Sequence, residues 1–378
     1  MITISDKTLC CGCTACVTAG PAQCVVMRRD REGFDYPFVN SPDLCINCGK
    51  CEKVCPILNP PKENTPECVY AARVSEYVDG SSSGGVFPYV AQKLISDDGV
   101  VYGAVLEDDM RVGHCEASDM EGVARMRGSK YVQSDLYSTF DEVQEYLKEG
   151  RKVLFTGTPC QVAGLKSYLG KPYEELYTVD FACHGVPAPG LWDKYVRALE
   201  KQSGTPVKHV RFRDKSHGWR HYHFAANEQS VPYVKDPYMA LFVQDMTLRP
   251  SCYNCGLRKG RSGSDLTLAD LWNVNEAVPE FNDDRGTSAV FVNTVKGRKL
   301  IEGLDLKQIP IEMAIKDNGG FASPSQIPPK RDEFFKGIHS ADDLVRYMKS
   351  YVIRKPLYER IYRSLRAWLS EVKRRVMG

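Results

Sequence analysis

The sequence predicts a mixed chain of α+β and α/β character, in which a small cysteine-rich unit precedes an α/β body and a helical tail. Three observations lead there. Nine of the 15 cysteines fall between Cys10 and Cys55, in a stretch poor in helical periodicity. That stretch ends in the proline-rich run "PILNPPKENTPE", a stiff, extended composition typical of a unit boundary. Beyond Cys68, apolar runs of strand length alternate with segments of helical period, the pattern of a largely parallel sheet. The expected units are residues 1–66, 67–330 and 331–378.

The elements follow in order. "VVYGAVL" reads as a strand, and "STFDEVQEYLKEG" as a helix stopped by Gly150. "KVLFTG" is a buried strand, followed by "PCQVAGLKSYLG", a helix with proline at its start and glycine at its end. "LYTVDFAC" and "GLWDKYVRALEKQSG" repeat the strand–helix pair. "VKHVRFRDKSHGWRHYHFAA" reads as two strands around a Lys-Ser-His-Gly turn. In the tail, Leu357, Ile361, Leu365, Leu369, Val372 and Val376 recur at three- and four-residue steps among basic residues, an amphipathic helix suited to docking on the body or a partner.

Bulk properties narrow the function. A chain of 378 residues with 43% hydrophobic and 26% charged residues is globular and large enough for two or three cores. A formal charge of +2 argues against a dedicated nucleic-acid binder. No stretch approaches the roughly 20 apolar residues of a membrane span, and no apolar run of signal-peptide length opens the sequence, so a cytoplasmic location is expected. In such a compartment, cysteines at two-residue spacing suggest metal rather than disulfides.

The run "CINCGKCEKVCP" supplies Cys45, Cys48, Cys51 and then Cys55-Pro56, the full spacing of a bacterial iron–sulfur motif. The earlier run, "LCCGCTACVTAGPAQC", supplies Cys10, Cys13 and Cys16 but has Gly20 before Pro21 where the closing cysteine belongs. In two-cluster ferredoxins the fourth cysteine of each run ligates the other cluster. Cys10, Cys13, Cys16 and Cys55 therefore form one expected ligand set. Cys45, Cys48 and Cys51 begin the second, which lacks its partner at position 20. Cys24 is the candidate replacement; an open iron or a three-iron cluster is the alternative. Zinc ribbons also use such pairs, but zinc needs four ligands per site and does not require two interleaved triplets with Cys-Pro.

Four cysteines lie far apart in sequence: Cys160 at a helix start, Cys183 at the end of the neighbouring strand, and Cys252 with Cys255 in "CYNC". In an open α/β sheet the first two fall at the carboxyl edge, where ligands bind, and the pair from elsewhere would complete a third metal site. "SSSGGVF", Ser81 to Phe87, places hydroxyls and free backbone N–H groups at a helix start, an arrangement suited to phosphate. The basic hairpin carries Arg211, Arg213 and Lys215, read mainly as a solvated face, with contact to an anionic cofactor tail or substrate as the sharper reading. His184 and Asp270 are candidates for proton transfer.

"SSSGGVF", "RMRGSKYVQS", "VLFTGTPCQVAGLKSYL", "DFACHGVPAP", "FRDKSHGW" and "DLTLADLW" together resemble the beta subunits of coenzyme F420-reducing hydrogenase and dehydrogenase, in the branch with an N-terminal two-cluster ferredoxin-like domain. The resemblance extends to about residue 325. It implies an iron–sulfur flavoprotein that binds FAD and passes electrons between FAD and 4Fe-4S clusters. It strengthens the expectation of a third cluster at Cys160, Cys183, Cys252 and Cys255. It also implies that Ser82, Ser83, Gly84, Gly85, Lys130, Thr158 and Gln161 surround the flavin. Ala269-Asp270-Leu271-Trp272-Asn273 stands where the family commonly has Gly-Asp-Phe-Trp-Gly, which bears on the local pocket shape. The expected partners are a ferredoxin or deazaflavin electron donor, and a partner redox subunit or a second copy of the chain. The expected activity is that of an oxidoreductase reducing a substrate, with an electron-transfer subunit lacking its own substrate as the alternative.

Overall fold

The computed structural model describes residues 2–62 and 65–353. The apolar stripe expected between Leu357 and Val376 lies outside the described residues.

The N-terminal unit contains an antiparallel hairpin, β1 (Val25–Arg29) and β2 (Asp35–Val39), with cysteine-bearing loops and single helical turns on either side. The body is built on an eight-stranded sheet. Its strands are β3 (Cys68–Ala72), β4 (Val100–Leu106), β5 (Val112–Ala117), β6 (Val153–Thr156), β7 (Leu176–Phe181), β11 (Leu266–Asp270), β12 (Ser288–Val292) and β13 (Leu306–Ile309). Their spatial order is β13-β3-β12-β11-β7-β6-β4-β5. The four adjacent strands β11, β7, β6 and β4 are parallel, which gives the expected parallel core. The flanks are antiparallel.

β4 is buried along nearly its whole length, as a parallel strand covered on both faces must be. One face carries the helix Val86–Ser96, whose Val86, Val90 and Leu94 pack with Val101, Val105 and Leu154. The other carries the helices Thr139–Lys148 and Pro159–Leu169, which place Phe140, Val143, Val162 and Leu165 against Val153 and Phe155. Cys11, Cys13 and Ala15 join that second core, so the N-terminal unit docks directly on the helix Pro159–Leu169. The approach is close: a Cβ at Gly164 would come within 2.7 Å of the Cys13 Cβ.

A separate three-stranded sheet, β8 (Val210–Asp214), β9 (His223–Ala226) and β10 (Gln229–Pro232), contains the two strands expected around the Lys-Ser-His-Gly turn. It packs through Phe212 and Phe224 on the helix Pro189–Ser203. The described part of the tail, helices Arg331–Gly337 and Leu344–Tyr351, buries Phe334, Phe335, Val345 and Met348 in the same core. Full burial of side chains this size stabilises by roughly 1.5–3 kcal/mol each. Arg331 pins the tail to the N-terminal hairpin, donating to both Glu32 carboxylate oxygens at 3.1 and 2.6 Å and to the Leu248 carbonyl.

Candidate functional site

Strand direction fixes where chemistry gathers. β3, β4, β6, β7 and β11 all run the same way, so their carboxyl ends share one edge. The chain leaves that edge through Ser81–Gly85, Thr158–Cys160, Ala182–His184 and Asp270–Asn273. Ligands bind at this edge in open α/β sheets.

Three cysteine sets can be distinguished. In the first, Cys10, Cys13, Cys16 and Cys55 line one apolar recess with Ile2, Ile4 and Leu9. Burial, then the neighbouring Cys10, Cys55 and Cys51, push the Cys16 thiol up to about 12. In the second, Cys24 lies against Cys45, and burial followed by Cys45 and Cys51 raises its thiol. Cys24 is buried in a small cluster with Cys16, against which Cys45, Cys51 and Cys55 pack, whereas Cys48 stands exposed. Gly20 has room for a side chain, since a Cβ there would meet only the carbonyl oxygens of Val17 and Cys16, at 3.7 and 3.9 Å.

The third set is the widest. A cavity of about 400 Å³ is lined by Cys160, Cys183, Cys252 and Cys255, with Arg258 beside them. Cys160 is the second residue of the helix Pro159–Leu169, and the Thr158 hydroxyl lies 3.1 Å from its sulfur. Cys252 sits on the short turn Pro250–Asn254, where burial, and beyond it Cys160 and Cys255, push its thiol up to about 12. Burial raises Cys183 as well, with Cys252, Cys160 and Cys255 adding to it. Cys11 lines the same cavity and touches both Cys13 and Cys160, which makes it a junction between the first and third sets. Sequence reasoning gave Cys11 no role; the doubled "CC" within "LCCGC" was the available signal.

Among the described residues, no three His, Cys, Asp or Glu side chains converge as they would on a single metal ion. A multi-iron cluster makes a different demand, because each iron takes its own thiolate and the sulfurs stand apart around its surface. Cys16, Cys24, Cys160, Cys183, Cys252 and Cys255, whose thiols are pushed up by burial and neighbouring sulfurs, are donors in which cationic iron would compensate for the thiolate charge that burial disfavours. The residues present fit such clusters.

At the other end of the edge, the residues from Ser81 to Gly85 precede the helix Val86–Ser96, whose start has no side-chain cap. The Ser81 hydroxyl and the Arg127 Nε are buried without hydrogen-bond partners. Ser82 is tied to the neighbouring loop by a 2.8 Å bond from the Ser129 hydroxyl, and its carbonyl accepts from the Trp219 indole. Ser83 donates to the Thr287 carbonyl, and the Gly84 N–H donates to the Ser288 hydroxyl. Uncapped N–H groups and orphaned donors suit an anionic group. Lys130 is near in sequence but turned aside: its ammonium donates to the carbonyls of Arg125, Met126 and Arg127, closing the helix Met120–Met126. Burial holds its pKa down to about 7. Gln161 accepts from the Thr158 N–H and donates to the Ser134 hydroxyl, so Thr158 and Gln161 shape the Cys160 side of the edge.

Arg213 departs from the solvated face expected for its hairpin. Its side chain is 4% exposed and pairs with Asp270 at 2.7 Å. The guanidinium lies between the rings of Tyr222 and Trp272, and its Nε and Nη2 have no partner, nor has Asp270 Oδ1. Trp272 stacks on Trp219 at 4.7 Å. His184 is engaged elsewhere: its Nε2 lies 2.7 Å from Asp245 Oδ1, and it follows Cys183.

Comparison with known proteins follows the same division. Residues 38–57 match the 4Fe-4S binding domain. A 43-residue stretch is 42% identical to a protein named ferredoxin 7Fe from Hydrogenibacillus schlegelii, covering 11% of this chain and 47% of that protein. The chain thus spans about half the length of that curated relative. A chain of the F420-reducing NiFe hydrogenase complex from Methanosarcina barkeri, in a xenon-derivatized structure, aligns over 76% of this chain and 91% of its own length, with 17% identity and a TM-score of 0.45. Residues 150–316 match the family described as the C terminus of the coenzyme F420 hydrogenase/dehydrogenase beta subunit. The later part of the chain is thus similar to the C-terminal domain of this family, and a segment before it is similar to a 4Fe-4S binding domain.

Proposed function

We propose that the protein is an iron–sulfur flavoprotein oxidoreductase that passes electrons between a reduced donor, FAD and 4Fe-4S clusters to reduce a substrate, with ferredoxin or a deazaflavin as donor. The observation that carries this reading is the cavity at the carboxyl edge, where Cys160, Cys183, Cys252 and Cys255 gather beside Cys11 of the N-terminal unit. That placement supports a continuous series of metal sites leading from the N-terminal unit into the body.

When bound, the clusters supply single-electron transfer and the flavin interconverts one- and two-electron chemistry. The chain's part is to hold and insulate. Cys10, Cys13, Cys16 and Cys55 would hold one cluster, Cys45, Cys48, Cys51 and Cys24 a second, and Cys160, Cys183, Cys252 and Cys255 a third. The ferredoxin relative named for seven irons supports the alternative of a three-iron cluster at the set that lacks a cysteine at position 20. Ser81, Ser82 and the uncapped helix start would bind an anionic portion of FAD. Arg213 and Asp270 offer unpaired donor and acceptor atoms beside the Trp272–Trp219 stack, suited to the polar edge of a planar ring. Asp270 would hold or release a proton there. The alternative, an electron-transfer subunit without its own substrate, is favoured by the family's description as a beta subunit.

The test is anaerobic purification followed by rapid mixing of the protein with a reduced deazaflavin, NAD(P)H or reduced ferredoxin. A brown protein with releasable FAD, in which the deazaflavin or ferredoxin bleaches flavin and cluster absorbance, is expected. A colourless, zinc-loaded protein overturns the reading. A reduced protein that turns over no substrate until a stoichiometric partner is added selects the subunit alternative.

A further inference from the structure

Arg249 is the most deeply buried cation in contact with a cysteine set, at 1% exposure. All three of its guanidinium nitrogens donate hydrogen bonds. Nε donates to the Cys10 carbonyl at 2.7 Å, Nη1 to the Gln133 side-chain oxygen at 2.9 Å, and Nη2 to the Asp35 carbonyl at 2.9 Å. Nη2 also reaches the Cys10 sulfur at 3.6 Å. The guanidinium lies over the Tyr36 ring at 4.2 Å and the Phe34 ring at 5.5 Å. Every oxygen among these hydrogen-bond partners belongs to a neutral group, so no carboxylate in this shell cancels the charge.

The surroundings are built around this group. Gly12 is in the left-handed region, and a Cβ there would fall 2.7 Å from Arg249 Nη1 and 2.6 Å from Gln133 Nε2. The glycine inside "CCGC" therefore leaves space for the arginine. Gln133 is fixed in turn by donating to the Cys11 carbonyl. The Arg249 backbone belongs to the third set: its N–H donates to the Val186 carbonyl, and its carbonyl accepts from the Cys252 N–H. One residue thus presents its charge to the first set while its backbone positions the third.

We propose that Arg249 sets the reduction potential of the cluster bound by Cys10, Cys13, Cys16 and Cys55, holding it above the value that the thiolates alone would give. Potentials of such clusters depend on net charge, hydrogen bonds to sulfur and solvent exposure. Arg249 supplies the first two in a dry setting and stays protonated at any working pH. When one electron passes from the reduced donor to the cluster, the donor is oxidised by one electron and the cluster site gains one negative charge. No bond is made and no proton moves. A fixed cation beside Cys10 stabilises the more negative state more than the less negative one. The role is one of tuning and positioning; it rests on the assignment of a cluster to the Cys10 set.

The test is a potentiometric titration of the full-length, anaerobically purified protein followed by electron paramagnetic resonance. The Cys10-set signal is identified by its loss in Cys16→Ser. Arg249→Gln with full iron content is expected to lower that cluster's midpoint by at least tenfold in the one-electron equilibrium, or about 59 mV, and the Cys45-set midpoint by less. Arg249→Lys, which keeps the charge, is expected to stay nearer the parent. A second measurement does not depend on a variant folding: protein labelled with nitrogen-15 arginine should show a guanidinium nitrogen coupling to the Cys10-set signal. An unmoved midpoint at full iron, an equal shift in every cluster, or no arginine coupling overturns the inference. Parent protein without iron would instead overturn the cluster assignment beneath it.

Discussion

Replacing Cys252 and Cys255 together by serine tests the third metal site directly. The magnitude follows from the cavity. Four thiols, Cys160, Cys183, Cys252 and Cys255, line a space of about 400 Å³, and Cys11 stands beside them as a fifth. A cubane takes four thiolates and carries four irons. A single substitution leaves four sulfurs, because Cys11 can step in; the double substitution leaves three. Iron is therefore expected to fall from about twelve atoms per chain, or about eleven if the Cys45 set holds three, by about one where the three remaining sulfurs keep a three-iron cluster and by about four where the site empties. The turn Pro250–Asn254 should survive the change, since its neighbour Arg249 and its own Ser251 are anchored in the interior independently of the two sulfurs. The assay is iron and acid-labile sulfide per chain after anaerobic purification, measured with flavin content and the spectrum of the N-terminal clusters. Unchanged iron would refute the reasoning and make the four residues ordinary buried thiols. Complete loss of iron with loss of fold would show that the residues act on the structure before they act on metal.

Two further outcomes are expected. Cys24→Ala should remove about one iron from the Cys45 set and convert its resonance to that of a three-iron cluster, while Gly20→Cys in the same background, where a side chain has room, should restore the parent iron content; unchanged iron and spectrum in Cys24→Ala would mean that Cys24 is not a ligand. For pH dependence, His114 is fully buried against the Thr156 carbonyl, and burial holds its pKa down to about 4 from 6.5, with Lys130 adding to the effect. The unfolded chain takes up its proton first as pH falls, so the stability linked to His114 is complete above 6.5 and is lost progressively from 6.5 to 4. The total is about 3 kcal/mol at roughly 1.4 kcal/mol per unit. His114→Gln should unfold with a flatter pH dependence across that window in thermal melts; parallel slopes in variant and parent would remove His114 from the account.

The parts of the fold that sequence makes legible are those whose signal is local. The strands around Tyr102, Phe155 and Thr178 are continuous apolar runs bounded by turn residues, and the helices between them carry proline at the start or glycine at the end. Cysteine spacing is equally local within the two N-terminal runs. What escapes is non-local. β12 inserts antiparallel between β3 and β11, although more than two hundred residues separate the first of these from it, and no local pattern announces that neighbour. Arg213 reads as one basic residue among several on a strand, and only the approach of Asp270 and Trp272 from another sheet turns it inward. Arg249 is likewise ordinary in "TLRPSC" until the fold brings it under Cys10. Cys160, Cys183 and the Cys252–Cys255 pair were legible as metal candidates because thiols are chemically conspicuous even when scattered; Cys11 was masked by standing inside a motif that already had its three cysteines.

The contact between Gly33 and Gly190 has a kinetic consequence. Gly33 tips the β1–β2 hairpin, its carbonyl accepts from the Gly190 N–H at 3.0 Å, and a Cβ on either residue would fall within 3 Å of the other's backbone. Two backbones meet there without side chains between them, and the Arg331 fork holds Glu32, the neighbouring residue of the same turn. A carrier that swings on its proline-rich tether would deliver charge at a rate set by diffusion, sensitive to viscosity and to tether length. A carrier held fast at its hairpin turn is wiring of fixed length, and its throughput depends on the energy steps along the path and on how quickly outside donors and acceptors reach its ends.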